Sequence, residues 1–150
     1  MYIRRAIDME LINWKNSVTR KPLLLRGAGQ VGKSSAIRNL GKSFTHFIEI
    51  NFDEKKEWTT LFESTQNLDA LLEQISIIEN TPIIENETLL FLDEIQTSLP
   101  AIHLLRYFYE RKPNLHVIAA GSLLEFALKD LTLFWCRTHS FLIYVPHFIP

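Results

Sequence analysis

The octapeptide Gly27-Ala28-Gly29-Gln30-Val31-Gly32-Lys33-Ser34 fits the pattern G-x-x-x-x-G-K-[ST], and it constrains this chain more than any other stretch. A loop that wraps phosphate oxygens must aim several backbone N–H groups inward, which demands glycine conformations and little side-chain bulk. Gly27 and Gly32 supply those conformations, Gly29 adds freedom, and Ala28, Gln30 and Val31 lend main-chain amides. The loop opens onto a helix start, whose free N–H groups and dipole favour an anion. The pattern assigns Lys33 to the β- and γ-phosphates and the Ser34 hydroxyl to Mg²⁺. The bland alternative is a glycine-rich turn. The full pattern arises by chance in roughly one in a hundred chains of this size or fewer, and the flanking sequence argues further against it.

That flanking sequence is a strand before the loop and a helix after it. Pro22-Leu23-Leu24-Leu25 is an apolar run stopped at Arg26 and Gly27, and Ser34 to Lys42 carries Ile37 and Leu40 on one face. Phe47 to Phe52 alternates as a strand does, and Leu89 to Leu92 and Leu115 to Ala120 are two more apolar runs. Between and around them lie helical patterns. Ile7, Leu11, Trp14 and Val18 predict a helix over 4–18. Leu68, Leu71, Leu72, Ile75 and Ile78 predict another, capped by Asn67. Ala101, Leu104, Leu105 and Phe108 predict a third over 99–111. Strands separated by helices predict an α/β fold with a mostly parallel sheet and right-handed crossovers.

The run Leu89-Leu90-Phe91-Leu92 ends at Asp93-Glu94, sixty residues beyond Lys33. A serine hydroxyl alone holds Mg²⁺ weakly, and an aspartate at a strand end anchors the hydrated ion. Asp93 is the candidate for that role, and Glu94 the candidate for orienting or deprotonating an attacking water. An acidic strand end is unspecific by itself; behind a complete phosphate loop the functional reading is favoured. A guanine-nucleotide site is disfavoured, because Asp93-Glu94-Ile95-Gln96 is not D-x-x-G and no N-K-x-D occurs. The next strand ends at Gly121-Ser122. If that strand lies between the other two, Ser122 sits at the carboxyl ends of the sheet, where ligands bind in open α/β folds. A role there in sensing the γ-phosphate or holding water stands beside a plain role as cap of a helix over Leu123 to Lys129.

Charge is uneven. Residues 1–42 hold nine Lys/Arg against two Asp/Glu, and residues 43–98 hold two against twelve. The basic third suits phosphates of a nucleotide or of nucleic acid, and equally a solvated face; no basic run with interleaved aromatics marks a dedicated nucleic-acid surface. The single cysteine, Cys136, permits no internal disulfide and fits a reducing cytoplasm. No signal peptide is read at the N-terminus, and no stretch is long and apolar enough to span a bilayer.

Lys21 to Gly27, the phosphate loop, Leu89 to Gln96, Leu105 to Glu110 and His116 to Leu128 together resemble a prokaryotic AAA-like ATPase family. Its members usually join an N-terminal AAA domain to a C-terminal domain of uncharacterised function. The resemblance covers about residues 1–130. It implies a three-layer P-loop NTPase fold with an additional strand, and ATP with Mg²⁺ as ligands. It also implies Walker roles for Lys33, Ser34, Asp93 and Glu94, and a sensor role for Ser122. Two functions follow from it: Mg-dependent ATP hydrolysis, or a nucleotide-dependent interaction module or truncated remnant with little turnover. AAA-type sites are commonly completed by an arginine from a neighbouring subunit, which makes a homo-oligomer an expected partner.

After Asp130 the family pattern runs through Phe-Pro-x-Gly-Arg into a last strand, and Leu131 to Arg137 does not follow it. Residues 131–150 hold one charged side chain, Arg137, and five of the 17 aromatics. They are therefore expected to form an atypical tail, either frameshifted sequence or a partial last strand. On this reading the sheet lacks a complete final strand and the usual C-terminal domain is missing.

Overall fold

The four apolar or alternating runs at Leu23, Phe47, Leu89 and Leu115 each become a strand of one sheet. The computed structural model describes residues 6–26, 32–65, 67–122 and 142–144. The strands are β1 (Leu23–Arg26), β2 (His46–Asn51), β3 (Thr88–Asp93), β4 (His116–Gly121) and β5 (Leu142–Tyr144). They pair in parallel in the order β2-β3-β4-β1-β5. Parallel neighbours need crossovers, and among the described residues α2 (Lys33–Gly41), α3 (Lys56–Ser64), α4 (Leu68–Ile78) and α5 (Leu99–Arg111) lie between successive strands, while α1 (Ala6–Asn16) precedes β1.

The helices divide between the two faces of the sheet, as side-chain alternation along the strands requires. Leu23, Leu25, Leu89, Phe91, Ile118 and Ala120 pack with Leu11 and Trp14 of α1 and Ile37 and Leu40 of α2. Leu24, Leu90, Leu92, Val117 and Ala119 face the other way, onto Phe62 of α3, Leu71 and Ile75 of α4, and Leu105 and Phe108 of α5. This is the three-layer α/β arrangement expected from the sequence. β3 and β4 are buried along their whole length, which is why they read as continuous apolar runs rather than as alternating ones.

Local signals set most boundaries. Asn67 Oδ1 accepts the backbone N–H groups of Asp69 (2.9 Å) and Ala70 (3.3 Å), capping α4 as predicted. Ser98 caps α5 by accepting from Ala101 N at 3.3 Å, with Pro100 in the first turn where its missing N–H costs nothing. α1 differs from expectation. It ends at Asn16, and Val18 is fully exposed in the turn that follows. Arg20 closes that end by donating to the carbonyls of Lys15 (3.2 Å) and Ser17 (3.1 Å). Ile78, placed on the apolar face of α4 by its spacing, is 59% exposed at the last turn. α3 was not anticipated from the sequence, although Trp58, Leu61 and Phe62 fall at helical spacing and Trp58 and Phe62 are buried.

Three described residues of β5 pair beside Leu24, Leu25 and Arg26 of β1. The rest of the tail from Leu131 and the helix expected over Leu123 to Lys129 lie outside the described residues.

Candidate functional site

The order of the strands decides where the site forms. β4 lies between β1 and β3, so the ends of all three meet at one edge of the sheet. This satisfies the condition placed on Ser122, which follows β4 directly and is half-buried. Gly27, Ala28, Gly29, Gln30 and Val31, expected to wrap phosphate, lie outside the described residues.

Gly32 adopts φ 80° and ψ 16°, the left-handed region that glycine enters without a Cβ penalty. Its carbonyl accepts the N–H of Ala36 at 3.1 Å and so begins α2. No side chain caps this helix start. Lys33 and Ser34 occupy its first turn.

Lys33 is 8% exposed, and its ammonium donates to the Gly121 carbonyl, at the end of β4, across 3.2 Å. Burial lowers its pKa, and the nearby carboxylates of Glu94 and Asp93 oppose that shift. The Ser34 hydroxyl donates to Asp93 Oδ2 at 3.1 Å. The other Asp93 oxygen accepts the N–H of Glu94 at 2.9 Å. Asp93 is 6% exposed, and desolvation raises its pKa against the lowering effect of those two hydrogen bonds. The structure therefore brings Lys33, Ser34, Asp93 and Glu94 to one place, although they come from two separate β–α turns.

Glu94 leaves β3 in a left-handed conformation, φ 53° and ψ 42°, and begins a 3₁₀ turn over Ile95–Thr97. Such a backbone is uncommon for a residue other than Gly, Asn or Asp. The turn folds Gln96 back so that its Nε2 donates to Glu94 Oε2 at 2.5 Å. In the sequence Gln96 serves only to exclude a D-x-x-G motif, and this contact is not foreseen. A polar residue two positions beyond the acidic pair was the available signal. Gly121 was likewise read as a strand stop; it is also the seat of Lys33 and the neighbour of Gln96, whose Oε1 a Cβ at position 121 would overlap.

The donor set suits a hydrated Mg²⁺ bound together with phosphate. That ion takes one or two protein oxygens and keeps waters, and Ser34 Oγ and Asp93 Oδ2 already adjoin. No group of three or more His, Cys, Asp or Glu residues able to hold a metal occurs among the described residues.

The basic first third is partly spent on internal contacts. Lys15 donates to Ser43, Arg20 to three backbone carbonyls, and Arg38 pairs with Glu49 at 2.6 Å. Among the described residues no helix is long and apolar enough to cross a membrane.

Comparison with known proteins agrees with this architecture. The family model described as an AAA domain matches residues 19–146, which include the phosphate-loop motif, the acidic pair and Ser122. No curated relative matches the sequence. Among solved structures, PCH-2 of C. elegans is similar with a TM-score of 0.52 at 17% identity, over 91% of this chain and 39% of that one. At that identity the likeness speaks for the fold. Motif, strand order and a family match over most of its length thus agree: the chain belongs to the family of AAA domains, which are P-loop nucleotide-binding modules.

Proposed function

We propose that this domain binds ATP with Mg²⁺ and hydrolyses it to ADP and phosphate. The observation that carries the proposal is the Ser34–Asp93 hydrogen bond set beside the buried ammonium of Lys33. It joins the helix start after β1 to the acidic end of β3, as one triphosphate–metal complex requires.

Each side chain has one task. Lys33 exchanges the Gly121 carbonyl for phosphate oxygens, a stronger partner for a desolvated cation. Ser34 and Asp93 hold Mg²⁺, which when bound neutralises phosphate charge. Glu94 accepts a proton from water as the water oxygen bonds to the γ-phosphorus and the bond to the β-γ bridging oxygen breaks. The electron pair of that bond leaves with ADP. Ser122, which follows β4, is assigned to donate its hydroxyl to the γ-phosphate or the water, as the resemblance implies. The amides of Gly27 to Gly32 wrap the remaining phosphate oxygens.

The wider reading follows the resemblance to AAA-type ATPases. An arginine from a second copy completes the site, so a homo-oligomer is the working assembly. Residues 1–130 are assigned as the nucleotide-binding unit, and 131–150 as an atypical tail, either frameshifted sequence or a partial last strand. The compartment is the cytoplasm, in keeping with the one cysteine.

ATP binding and phosphate release measured side by side test the proposal. Wild type is expected to do both with Mg²⁺. Glu94→Gln is expected to bind ATP while release falls about 10²- to 10⁴-fold. Lys33→Ala is expected to lose binding. Binding without release in wild type would replace hydrolysis by a nucleotide-dependent interaction role, and absence of binding would end both.

A further inference from the structure

The Glu94 carboxylate does not stand alone at the end of β3. Its Oε2 accepts from Gln96 Nε2 at 2.5 Å. An ionised carboxylate only accepts hydrogen bonds, so the amide nitrogen of Gln96 must face it. That orientation leaves the amide oxygen pointing the other way. Gln96 Oε1 is buried there, with no hydrogen-bond partner among the described residues. It lies against the Cα of Gly121, where a Cβ would overlap it.

A buried acceptor without a donor lowers stability. Methionine or leucine would fill the same space without that cost, so cementing the fold does not explain a glutamine here. Orienting Glu94 does. The left-handed backbone at Glu94 and the 3₁₀ turn bring the amide and the carboxylate together. Gly121 gives the amide its place and also receives Lys33 on its carbonyl.

We propose that Gln96 is the positioning residue of Glu94: seated against Gly121 at the end of β4, its amide fixes the carboxylate and leaves Oε1 of Glu94 to take the proton of the attacking water. This rests on the reading of Glu94 as general base. It adds that the base is aimed from the end of β4, which carries the resting contact of Lys33 and is followed directly by Ser122. Gly121 is the second member of the device. Its substitution by alanine displaces the flexible end of Gln96 rather than backbone, so the protein folds while the amide moves.

The test has two arms on the full chain. In the first, the glutamine side-chain amides are followed by ¹⁵N NMR without nucleotide, the Gln96 signal being the one lost in Gln96→Met. The expected result is a Gln96 amide proton shifted downfield and slow to exchange, which loses both properties in Glu94→Ala and keeps them in Ser34→Ala. A Gln96 signal indifferent to Glu94→Ala overturns the proposal whatever the turnover. In the second, Gln96→Met and Gly121→Ala are compared with wild type for ATP affinity and turnover. Both are expected to keep the Kd for ATP within about twofold and to lose about tenfold or more in kcat, as misplaced catalytic groups do. Unchanged kcat in Gln96→Met, or equal loss of affinity and kcat in both variants, overturns it. If wild type releases no phosphate while the amide signal responds to Glu94, the hydrolysis reading falls and the hold of Gln96 on Glu94 is supported.

Discussion

Ser34 Oγ and Asp93 Oδ2 lie 3.1 Å apart although 59 residues separate them in the chain. One belongs to the first turn of α2 and the other to the last residue of β3. All the strands run parallel, so β1 and β3 present their carboxyl ends at the same end of the sheet with β4 alone between them, and the two turns meet there.

The first prediction concerns this pair. Ser34→Ala removes one of the two oxygens proposed to hold Mg²⁺ and changes no other residue of the phosphate-loop motif. ATP affinity measured with Mg²⁺ is expected to fall about tenfold, close to 1.4 kcal/mol. Affinity measured in EDTA is expected to stay within about twofold of wild type, well under 1 kcal/mol. A fluorescent ATP analogue titrated under both conditions separates the two; an equal loss in each would refute the role given to Ser34.

A second prediction follows from the burial of Lys33. Desolvation lowers its pKa, which means that the folded protein holds this cation at some cost. Lys33→Met keeps the length of the side chain and removes the charge. Thermal or urea denaturation without nucleotide is expected to show that the variant remains folded at the temperature of the binding assay, because the apolar stem of the side chain is kept. The same variant is expected to show no measurable ATP binding by calorimetry. A strongly destabilised variant would mean that Lys33 is chiefly structural.

The cap of α4 is the third. Asn67 Oδ1 satisfies two N–H groups that the helix leaves free. Asn67→Ala is expected to lower the free energy of unfolding by about 1 kcal/mol. Turnover is expected to be unchanged, because α4 lies on the face away from α2. Urea melts and a phosphate-release assay check the two halves of this statement.

His116 gives the fourth. Its Nε2 lies 3.1 Å from the Lys15 carbonyl, which only accepts, so Nε2 carries the proton and Nδ1 is bare. Nδ1 has no partner among the described residues, and the rings of Trp14 and Phe44 pack edge-on against the imidazole. Burial brings its pKa down to about 4 from the usual 6.5. The unfolded chain therefore binds a proton at higher pH than the folded one. The stability that His116 contributes is complete above about pH 6.5 and is lost as pH falls through the folded value near 4. The whole loss amounts to about 3 kcal/mol. Urea melts from pH 7.5 to 4 check it against His116→Phe, whose stability is expected to fall less over the same range.

How much of this was readable from residues alone depends on the range of the forces involved. Asn67 before Leu68 acts within four residues, and the helix it begins was placed correctly; α5 was placed by the helical spacing of Ala101, Leu104, Leu105 and Phe108, of which Leu104 is partly buried and the others are buried. The buried runs at Leu89 and Leu115 marked β3 and β4 because both faces of those strands are covered. α3 escaped because Trp58, Leu61 and Phe62 are few and sit beside Lys55, Lys56 and Glu57, so that charge masks a short apolar stripe. Val18 misled because the spacing of Leu11 and Trp14 runs on past the point where Arg20 ends the helix. The acidic pair and Ser122 were legible as residue types at strand ends. The contact of Lys33 with Gly121 and that of Gln96 with Glu94 were not. The first requires the strand order, and the second a left-handed residue that no periodicity reveals.

The backbone at Glu94 sets foldability and turnover against each other. A left-handed conformation costs a side-chain-bearing residue about 1 kcal/mol or more, and glycine is exempt from it. Glu94→Gly is therefore expected to ease the chain at this point and to delete the proton acceptor in the same stroke. Directed evolution for heat resistance alone would reward that exchange and yield a hardier, silent domain. Retaining glutamate requires that selection score phosphate release as well.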